Sequence, residues 1–375
     1  MIELLFWIAL TGSIYSYFIY PFLLRLSPKR LVNQDTAPEF HPNVSLIVTA
    51  HNEENRIVKK LENCLAIDYP DLEIIVASDA SSDDTDRIVQ SYAEQGVILA
   101  RAEERKGKEY AQFQAINAAK GEILVFSDVA TDIPPEALQK MVAYFRDSMI
   151  GAVSSEDRFI TRDGNVAGEG AYVKYEMWLR RLESERAGLV GLSGSFFAAR
   201  KEVCREWDIA APSDFNTALN CASQELVAVS APDVLGYYQD VADSKKEYER
   251  KLRTIIRGLT ALERHTEVLN PMRYGWFSFQ VISHKLMRWA VPWFLLLLMI
   301  VSLLMAGRGG LYGVLLFGQL VFYGAVVLAY LKPALRDNKY LKIPYFFIQV
   351  NAAIAHATIR FLTGTRMTVW TPSKR

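Results

Sequence analysis

Acidic and basic side chains follow several short apolar runs of this 375-residue chain, in positions where they could bind a nucleotide. Glu53, Asp79 and Asp128 follow three different runs, and the pair Gly107-Lys108 follows another. Carboxylates can accept hydrogen bonds from a base or from ribose hydroxyls, or hold a metal ion, and a lysine beside a flexible glycine can contact a phosphate. The glycine-rich fingerprints of dinucleotide-binding and P-loop proteins are missing from the sequence. A metal ion bridging the phosphates would therefore replace a cradle of backbone amides.

The apolar runs that precede these residues are short enough to be buried strands, and segments with helical patterns separate them. They cover residues 44–49, 72–78, 97–102 and 123–126. Strands that alternate with helices predict an α/β fold with a parallel, doubly wound sheet, and ligands bind such sheets at the carboxyl ends of the strands. After the fourth strand, Pro134-Pro135 is expected to begin a helix that Asp132 caps.

Three stretches without a charged residue predict membrane-spanning helices. Residues 4–24, 289–306 and 309–331 contain 21, 18 and 23 residues, and a bilayer core requires about 20. A fourth apolar stretch, residues 343–359, contains Gln349, Asn351 and His356 and runs into Arg360. A helix lying in the membrane interface is favoured for it over a fourth span.

The distribution of basic residues predicts the orientation of the chain. Lysines and arginines follow the first span, precede the second and follow the third, so the positive-inside rule places residues 25–288 in the cytoplasm. The expected location is the inner, or plasma, membrane. Cys64, Cys204 and Cys221 are too few and too scattered for a disulfide framework or a zinc site. The formal charge of zero argues against a nucleic acid partner.

Four motifs in register resemble the family-2 glycosyltransferases, which are inverting enzymes with the GT-A fold. They are VSLIVTAHNEE, IIVASDASSDDT, RKGKEYAQFQAINAAKGEILVFSD and the PPEAL that follows. The resemblance covers about residues 44–265. It implies a membrane anchor at 1–30, a GT-A domain at 40–265 and a membrane region at 266–375 with two spans, an interfacial helix and a tail.

The resemblance also implies roles for the residues of the donor site. Glu53 and Asp79 would hold the nucleoside, and Gly107 and Lys108 would lie near the base and the phosphates. Asp128 matches the first acid of the Asp-x-Asp motif that carries Mg²⁺ or Mn²⁺, whereas the second acid falls on Ala130. One carboxylate can suffice, since Mg²⁺ commonly keeps water and phosphate oxygens as ligands. The nucleotide-binding set is completed by Ala50 and Ser127.

On the acceptor side, residues 192–197 resemble the small-residue floor of the acceptor pocket, which makes Gly194 and Ser195 candidates for contact with a sugar. Trp178 is a further candidate, although its helix is favoured to pack on the sheet. Asp214 matches the position of the family's catalytic base, which takes a proton from the acceptor hydroxyl. The alternative is that Ser213 or Asp214 caps the next helix.

Arg250 and Arg253 match the family's Gln/Arg-x-x-Arg-Trp motif and would stabilise the departing diphosphate. The tryptophan of that motif is Thr254 here, which puts processive polymerisation in doubt. A charged cytoplasmic helix is the alternative for this segment. The tail from Trp370 to Arg375 either returns to the mouth of the site or anchors the chain at the interface.

These observations predict a membrane glycosyltransferase that transfers a sugar from a UDP-sugar, with inversion, to a growing cell-surface polysaccharide or a lipid-linked glycan. Its partners would be the donor, the acceptor, the lipid bilayer and either a second copy of the chain or a synthase complex. The alternative is a non-catalytic nucleotide-sugar-binding subunit that scaffolds a synthase complex, because Ala130 and Thr254 both depart from the family pattern.

Overall fold

The computed structural model describes residues 1–30, 40–160, 171–239, 244–336, 338 and 340–367. The chain divides into two compact units. The sheet unit comprises Ser27–Asp243, Thr260–Gln280 and Arg366–Arg375, and the helical unit comprises Met1–Leu26, Ser244–Leu259 and Val281–Thr365. The predicted tail at 370–375 and the start of the helix predicted from 168 lie outside the described residues. The boundaries at 1–30, 40–265 and 266–375 stay a prediction.

Within the described ranges, seven strands of the sheet unit form one sheet in the order β3-β2-β1-β4-β6-β5-β7. Neighbouring strands pair in parallel except that β6 is antiparallel to both β4 and β5. The predicted α/β fold with a mostly parallel sheet is therefore confirmed. The strands are β1 (Val44–Ala50), β2 (Leu72–Ser78), β3 (Val97–Arg101), β4 (Ile123–Asp128), β5 (Ile150–Ile160), β6 (Phe196–Arg200) and β7 (Val227–Gln239).

The central strands are buried on both faces, which explains why they are almost continuously apolar. Leu46 and Val48 of β1 belong to the core on one side of the sheet, and Ile47 belongs to the core on the other. Helices cover the sheet and connect its strands. They are α3 (Ile57–Leu65), α4 (Thr85–Gln90), α5 (Lys108–Ala118), α6 (Ala137–Ala143), α7 (Ala171–Ser184) and α8 (Ser213–Ser223).

The predicted helix start at Pro134 is wrong. Helix α6 begins at Ala137 and follows Glu136. Asp132 does not cap it, because the backbone of Asp132 forms a two-way antiparallel bridge with Tyr237 of β7, with N to O distances of 2.7 and 3.0 Å. The residues before the two prolines disfavour the helical conformation, and the chain enters α6 through a turn in which the N–H of Ala137 donates to the carbonyl of Pro134 at 3.0 Å.

The remaining helices contain the predicted membrane spans. They are α1 (Ile2–Ile14), α2 (Tyr20–Leu26), α9 (Ser244–Arg264), α10 (Pro271–Val281), α11 (Met287–Leu304), α12 (Gly310–Leu331) and α13 (Lys342–Leu362). Two π-helical segments, Tyr15–Ile19 and Ile282–Leu286, connect α1 to α2 and α10 to α11.

Three helical stretches of the described chain are long and apolar enough to cross a membrane: Ile2–Leu26, Pro271–Leu304 and Gly310–Leu331. This confirms the prediction of three spans. The second stretch begins before the predicted residue 289, and α13 does not meet the same test. Its placement in the membrane interface stays a prediction.

Candidate functional site

The end of β4 and the start of α5 meet through an ion pair. Asp128 is the last residue of β4, and its side chain is 29% exposed. Lys108 is the first residue of α5, and its Nζ lies 2.6 Å from Asp128 Oδ1 and 2.8 Å from the carbonyl oxygen of Gly194. The backbone N–H of Asp128 donates to the carbonyl of Ser195 at 3.0 Å. The predicted donor residues Asp128 and Lys108 therefore lie beside the predicted acceptor residues Gly194 and Ser195.

Asp79 fixes the loop that delivers Lys108. Its side chain is fully buried, and its carboxylate accepts the backbone N–H groups of Lys106 and Gly107 at 3.0 to 3.1 Å. Gly107 has a φ of 107°, which favours glycine because a Cβ is strained there. The N–H of Asp79 donates to the carbonyl of Ala50 at 2.9 Å, so β1 supports the same loop.

Glu53 lies at the same edge of the sheet, just beyond β1. Its side chain accepts from Arg56 Nε at 2.7 Å, and its backbone N–H donates to Thr85 Oγ1 at 2.8 Å. Burial raises the pKa of Glu53, Arg56 partly offsets that rise, and the nearby charge of Asp128 adds to it. The two predicted donor acids thus lie at or just beyond the ends of neighbouring parallel strands, β1 and β4, at the same edge of the sheet.

Asp214 lies against the backbone of Gly194. A methyl group added at Gly194 would be 3.4 Å from Asp214 Oδ2, and the N–H of Leu192 donates to the carbonyl of Asp214 at 3.1 Å. Helix α8 begins at Ser213 after Pro212, and the N–H of Ser213 donates to Glu109 Oε1 at 3.3 Å, so in the described residues the side chain of neither Ser213 nor Asp214 caps the helix. The alternative that Ser213 or Asp214 is a helix cap is therefore wrong, and the Asp214 side chain is left partly exposed in the site.

Two charged residues that were not predicted from the sequence, one partly exposed and one buried, support the site. The first is Asp157 on β5, whose carboxylate accepts from Ser193 Oγ at 2.6 and 2.7 Å and from Ser195 Oγ at 2.7 Å. Burial raises the pKa of Asp157, and the two serine hydrogen bonds oppose that rise. Asp157 thus holds the segment that contains Gly194. Asp157 stands beside Glu156 and Arg158 in the polar half of the strand, so no feature of the sequence distinguishes it.

The second is Lys60 on α3, which is 2% exposed. Its Nζ donates to Ser127 Oγ at 2.9 Å and to the carbonyl of Thr131 at 2.6 Å, and burial lowers its pKa. Lys60 therefore anchors both sides of the turn that contains Asp128 and Ala130. Its place on the apolar face of α3, one residue before Leu61, was the available signal.

Three predicted site residues, Trp178, Arg250 and Arg253, lie on helices that have not been described with this cluster. Trp178 lies on α7, is 36% exposed and stacks at an angle on Tyr175, with 5.7 Å between the ring centres. Arg250 and Arg253 lie on α9, in the segment Ser244–Leu259 that belongs to the helical unit. The roles of these three residues stay predictions.

The acids of the predicted donor site suit a metal ion that takes most of its ligands from substrate phosphates and water. Among the described residues, no group of three or more His, Cys, Asp or Glu side chains could hold a metal ion. Asp128 offers one partly exposed carboxylate. Mg²⁺ is commonly bound through one or two carboxylates together with substrate phosphates and water, so a single acid fits this mode of binding.

Comparison with known proteins gives the site a family context. Residues 45–207 match the family model described as Glycosyl transferase family 2. The poly-beta-1,6-N-acetyl-D-glucosamine synthase of Staphylococcus aureus is 28% identical over 212 residues, and that of Staphylococcus epidermidis is 26% identical over 214 residues. Each alignment covers 54% of this chain and 50% of the relative. The chain thus spans about half the length of these curated relatives.

The fold as a whole has a counterpart among solved structures. The mannosyltransferase PcManGT from Pyrobaculum calidifontis, solved in complex with GDP-Man and Mn²⁺, superposes with a TM-score of 0.73. The match covers 96% of this chain and 99% of that chain, at 22% sequence identity. The predicted GT-A fold flanked by membrane helices is confirmed by this likeness together with the family match.

Proposed function

Because this chain carries a glycosyl transferase family 2 domain, we propose that it transfers a sugar, with inversion, from a nucleotide sugar to a growing cell-surface polysaccharide or a lipid-linked glycan. One observation carries the proposal. Lys108 bonds both to Asp128 and to the carbonyl of Gly194, and Asp214 lies against Gly194. A cation for the phosphates and an acid for the acceptor hydroxyl are thus held at one edge of the sheet.

In the proposed reaction, Asp214 accepts the proton of the acceptor hydroxyl. The hydroxyl oxygen forms a bond to the anomeric carbon on the face opposite the nucleoside diphosphate. The bond from that carbon to the phosphate oxygen breaks, and its electron pair leaves with the diphosphate. Gly194 would let the sugar approach the backbone closely, because it carries no side chain.

On the donor side, Lys108 would donate to the phosphates, and Arg250 and Arg253 would add positive charge as the diphosphate departs. Ala50, Glu53, Asp79 and Ser127 would form the nucleoside end of the site. Mg²⁺ or Mn²⁺, held by Asp128, would supply further neutralisation of the diphosphate. The Mn²⁺ named for PcManGT supports the use of a divalent metal.

The identity of the donor is open between two nucleotides. The sequence predicts a UDP-sugar, whereas PcManGT is named with GDP-Man.

Thr254 in place of the family tryptophan, and three spans that make only a narrow pore, favour a single addition or an oligomer over processive synthesis. We place the sheet unit in the cytoplasm and the chain in the plasma membrane, as the basic residues predict.

The test is the release of nucleoside diphosphate by the full chain purified in detergent. UDP-sugars and GDP-sugars are supplied one at a time with Mg²⁺ or Mn²⁺, with and without membrane lipid extract as acceptor. We expect release with one donor, and an Asp128→Asn variant should require a higher metal concentration. If no donor releases its nucleoside diphosphate in the presence of the lipid extract, the result contradicts the proposal.

The scaffold function is the second candidate, and Ala130 favours it because it removes one of the two acids of the metal motif. Calorimetry separates the two functions. A nucleotide sugar that binds the full chain and is never turned over, with any acceptor, would establish the scaffold function and exclude the transferase.

A further inference from the structure

An arginine of the helical unit lies over an aromatic ring near the start of α11. The Cζ of Arg288, on α11, lies 5.0 Å from the ring centre of Tyr17. Tyr17 in turn contacts Phe347 of α13, with 5.9 Å between the ring centres. Arg288 is partly buried, whereas Arg308, at the other end of α11, is 51% exposed and pairs with Glu3. Arg288 is therefore directed inward among the helices.

The two π-helical segments of the unit meet close to this arginine. Tyr15 of the first lies 3.0 Å from Ser283 of the second, hydroxyl to hydroxyl. Segments of this kind are frequent at functional sites because the extra residue re-aims side chains. Ser16, next to Tyr17, is fully buried, and its hydroxyl has no hydrogen-bond partner in the part of the chain that the structure describes.

Helix α13 contributes further polar groups to the same region. Asn351 is one turn beyond Phe347, and its Nδ2 donates to the carbonyl of Phe347 at 2.8 Å. Its Oδ1 is buried without a hydrogen-bond partner among the described residues. Phe346 precedes Phe347 on α13, and the Nζ of Lys251 lies 4.2 Å from the centre of its ring. Lys251 thus lies over a ring of α13, and Arg288 lies over the ring of Tyr17, which contacts the next residue of α13.

We propose that Arg288 and Lys251, with Tyr17, Phe346 and Phe347, form a binding site for the phosphate or diphosphate group of a membrane lipid. A guanidinium binds phosphate oxygens through two parallel hydrogen bonds, and ionisable residues within membrane helices commonly face the interior of the bundle and mark sites for substrates or ions. The apolar surfaces of the neighbouring spans suit the hydrocarbon chain. This inference rests on the proposed transfer reaction, because it assigns a lipid phosphate as the carrier of the acceptor.

The experiment measures binding of geranylgeranyl phosphate to the full chain in detergent, by native mass spectrometry and by the shift in denaturation temperature. Geranylgeraniol, inorganic phosphate and phosphatidylglycerol are the comparison probes. We expect the lipid phosphate to bind at least about tenfold more tightly than the alcohol, since hydrogen bonds to a charged group carry this difference. Arg288→Gln should lose about tenfold in affinity, Arg288→Lys should retain most of it, and Arg308→Gln is the matched control that should bind as the native chain does.

Equal binding of the phosphate and the alcohol, or unchanged binding by Arg288→Gln, would overturn the site. If Arg288→Gln does not fold, Lys251→Gln carries the same comparison and should also lose affinity for the lipid phosphate. Phosphatidylglycerol bound as tightly as the isoprenoid phosphate would assign the site to bulk anionic lipid and overturn its role as acceptor carrier. Donor turnover measured on the same samples separates the two proposals, because turnover without lipid-phosphate binding refutes only the site, and binding without turnover refutes only the transferase.

Discussion

Replacing Gly194 by alanine should make the protein more stable and less active. The φ of Gly194 lies outside the left-handed region, and the added methyl group would meet its nearest atom, Asp214 Oδ2, at 3.4 Å, an ordinary contact distance. Alanine restricts the unfolded chain, so the free energy of unfolding should rise by about 0.4 to 1 kcal/mol. For a unit of this size, that corresponds to a denaturation temperature higher by about 1 to 4 °C.

The same methyl group would occupy the space in front of the proposed base. An acceptor hydroxyl must come within about 2.6 to 3.2 Å of the Asp214 carboxylate, and a displacement of about 1 Å can cost about 100-fold in rate. We therefore expect transfer to the acceptor to fall about 100-fold, while hydrolysis of the donor by water persists. Transfer within twofold of the native rate would refute the placement of the acceptor at Gly194.

Gly151→Ala is the matched control, because its methyl group would lie 2.8 Å from Cys221 Sγ and 2.9 Å from Leu226 Cβ. Overpacking of this kind costs about 1 to 3 kcal/mol, so this variant should denature at a lower temperature. The two glycine variants thus have opposite expected signs. A lower denaturation temperature for Gly194→Ala as well would show that the space beside Asp214 is closed.

Three further predictions concern charged residues of the site. Lys108→Met removes the ammonium group that bonds to Asp128, so the affinity for the nucleotide sugar in calorimetry should fall at least about tenfold; unchanged affinity would remove Lys108 from the donor site. Asp79→Ala leaves the buried N–H groups of Lys106 and Gly107 without their acceptor and should lower the free energy of unfolding by about 1.5 to 3 kcal/mol in denaturant titration; a smaller loss would mean that the loop is held by other contacts. Burial raises the pKa of Asp157, so its contribution to stability is present below about pH 4 and is lost as the pH rises through the raised pKa. Asp157→Asn should therefore gain stability relative to the native chain between pH 4 and 8, and a constant difference in denaturation temperature over that range would contradict this sign.

Much of the fold could be predicted because local and global signals agree. The apolar runs gave β1, β2, β3 and β4 to within a residue or two at most ends, and their alternation with helices gave the parallel sheet. Since parallel strands end at one edge, the residues that follow them, Glu53, Asp79 and Asp128, could be expected to lie together. The membrane spans could be predicted equally well, because their length and their lack of charged residues identify them in the sequence.

The support beneath the acceptor loop could not be predicted in the same way. Asp157 reaches Ser193 and Ser195, which are 36 and 38 residues further along the chain. The register of β5 against β7 shifts between Ser155 and Glu156, and a bulge of this kind re-aims the side chains that follow it. Simple alternation along the strand therefore does not tell which face Asp157 takes.

The prediction that a helix begins at Pro134 was wrong for a related reason. Aspartate is a common helix cap, but the backbone of Asp132 forms a bridge with Tyr237, which is more than 100 residues away in the sequence. Lys60 shows the opposite case, because its position on the apolar face of α3 is visible in the sequence, whereas its partners Ser127 and Thr131 are not.

The most direct test of the proposed reaction compares Asp214→Asn with Asp71→Asn in sugar transfer by the full chain. Asp71 is an exposed acid with a φ of 51°, a conformation that asparagine tolerates well, so its substitution alters charge without altering the site. We predict that Asp214→Asn loses at least about 100-fold in transfer, the range for a lost general base, while its binding of the nucleotide sugar and its denaturation temperature stay native and Asp71→Asn transfers normally. Equal transfer by both variants would contradict the assignment of Asp214 as the base and, with it, the mechanism proposed for this site.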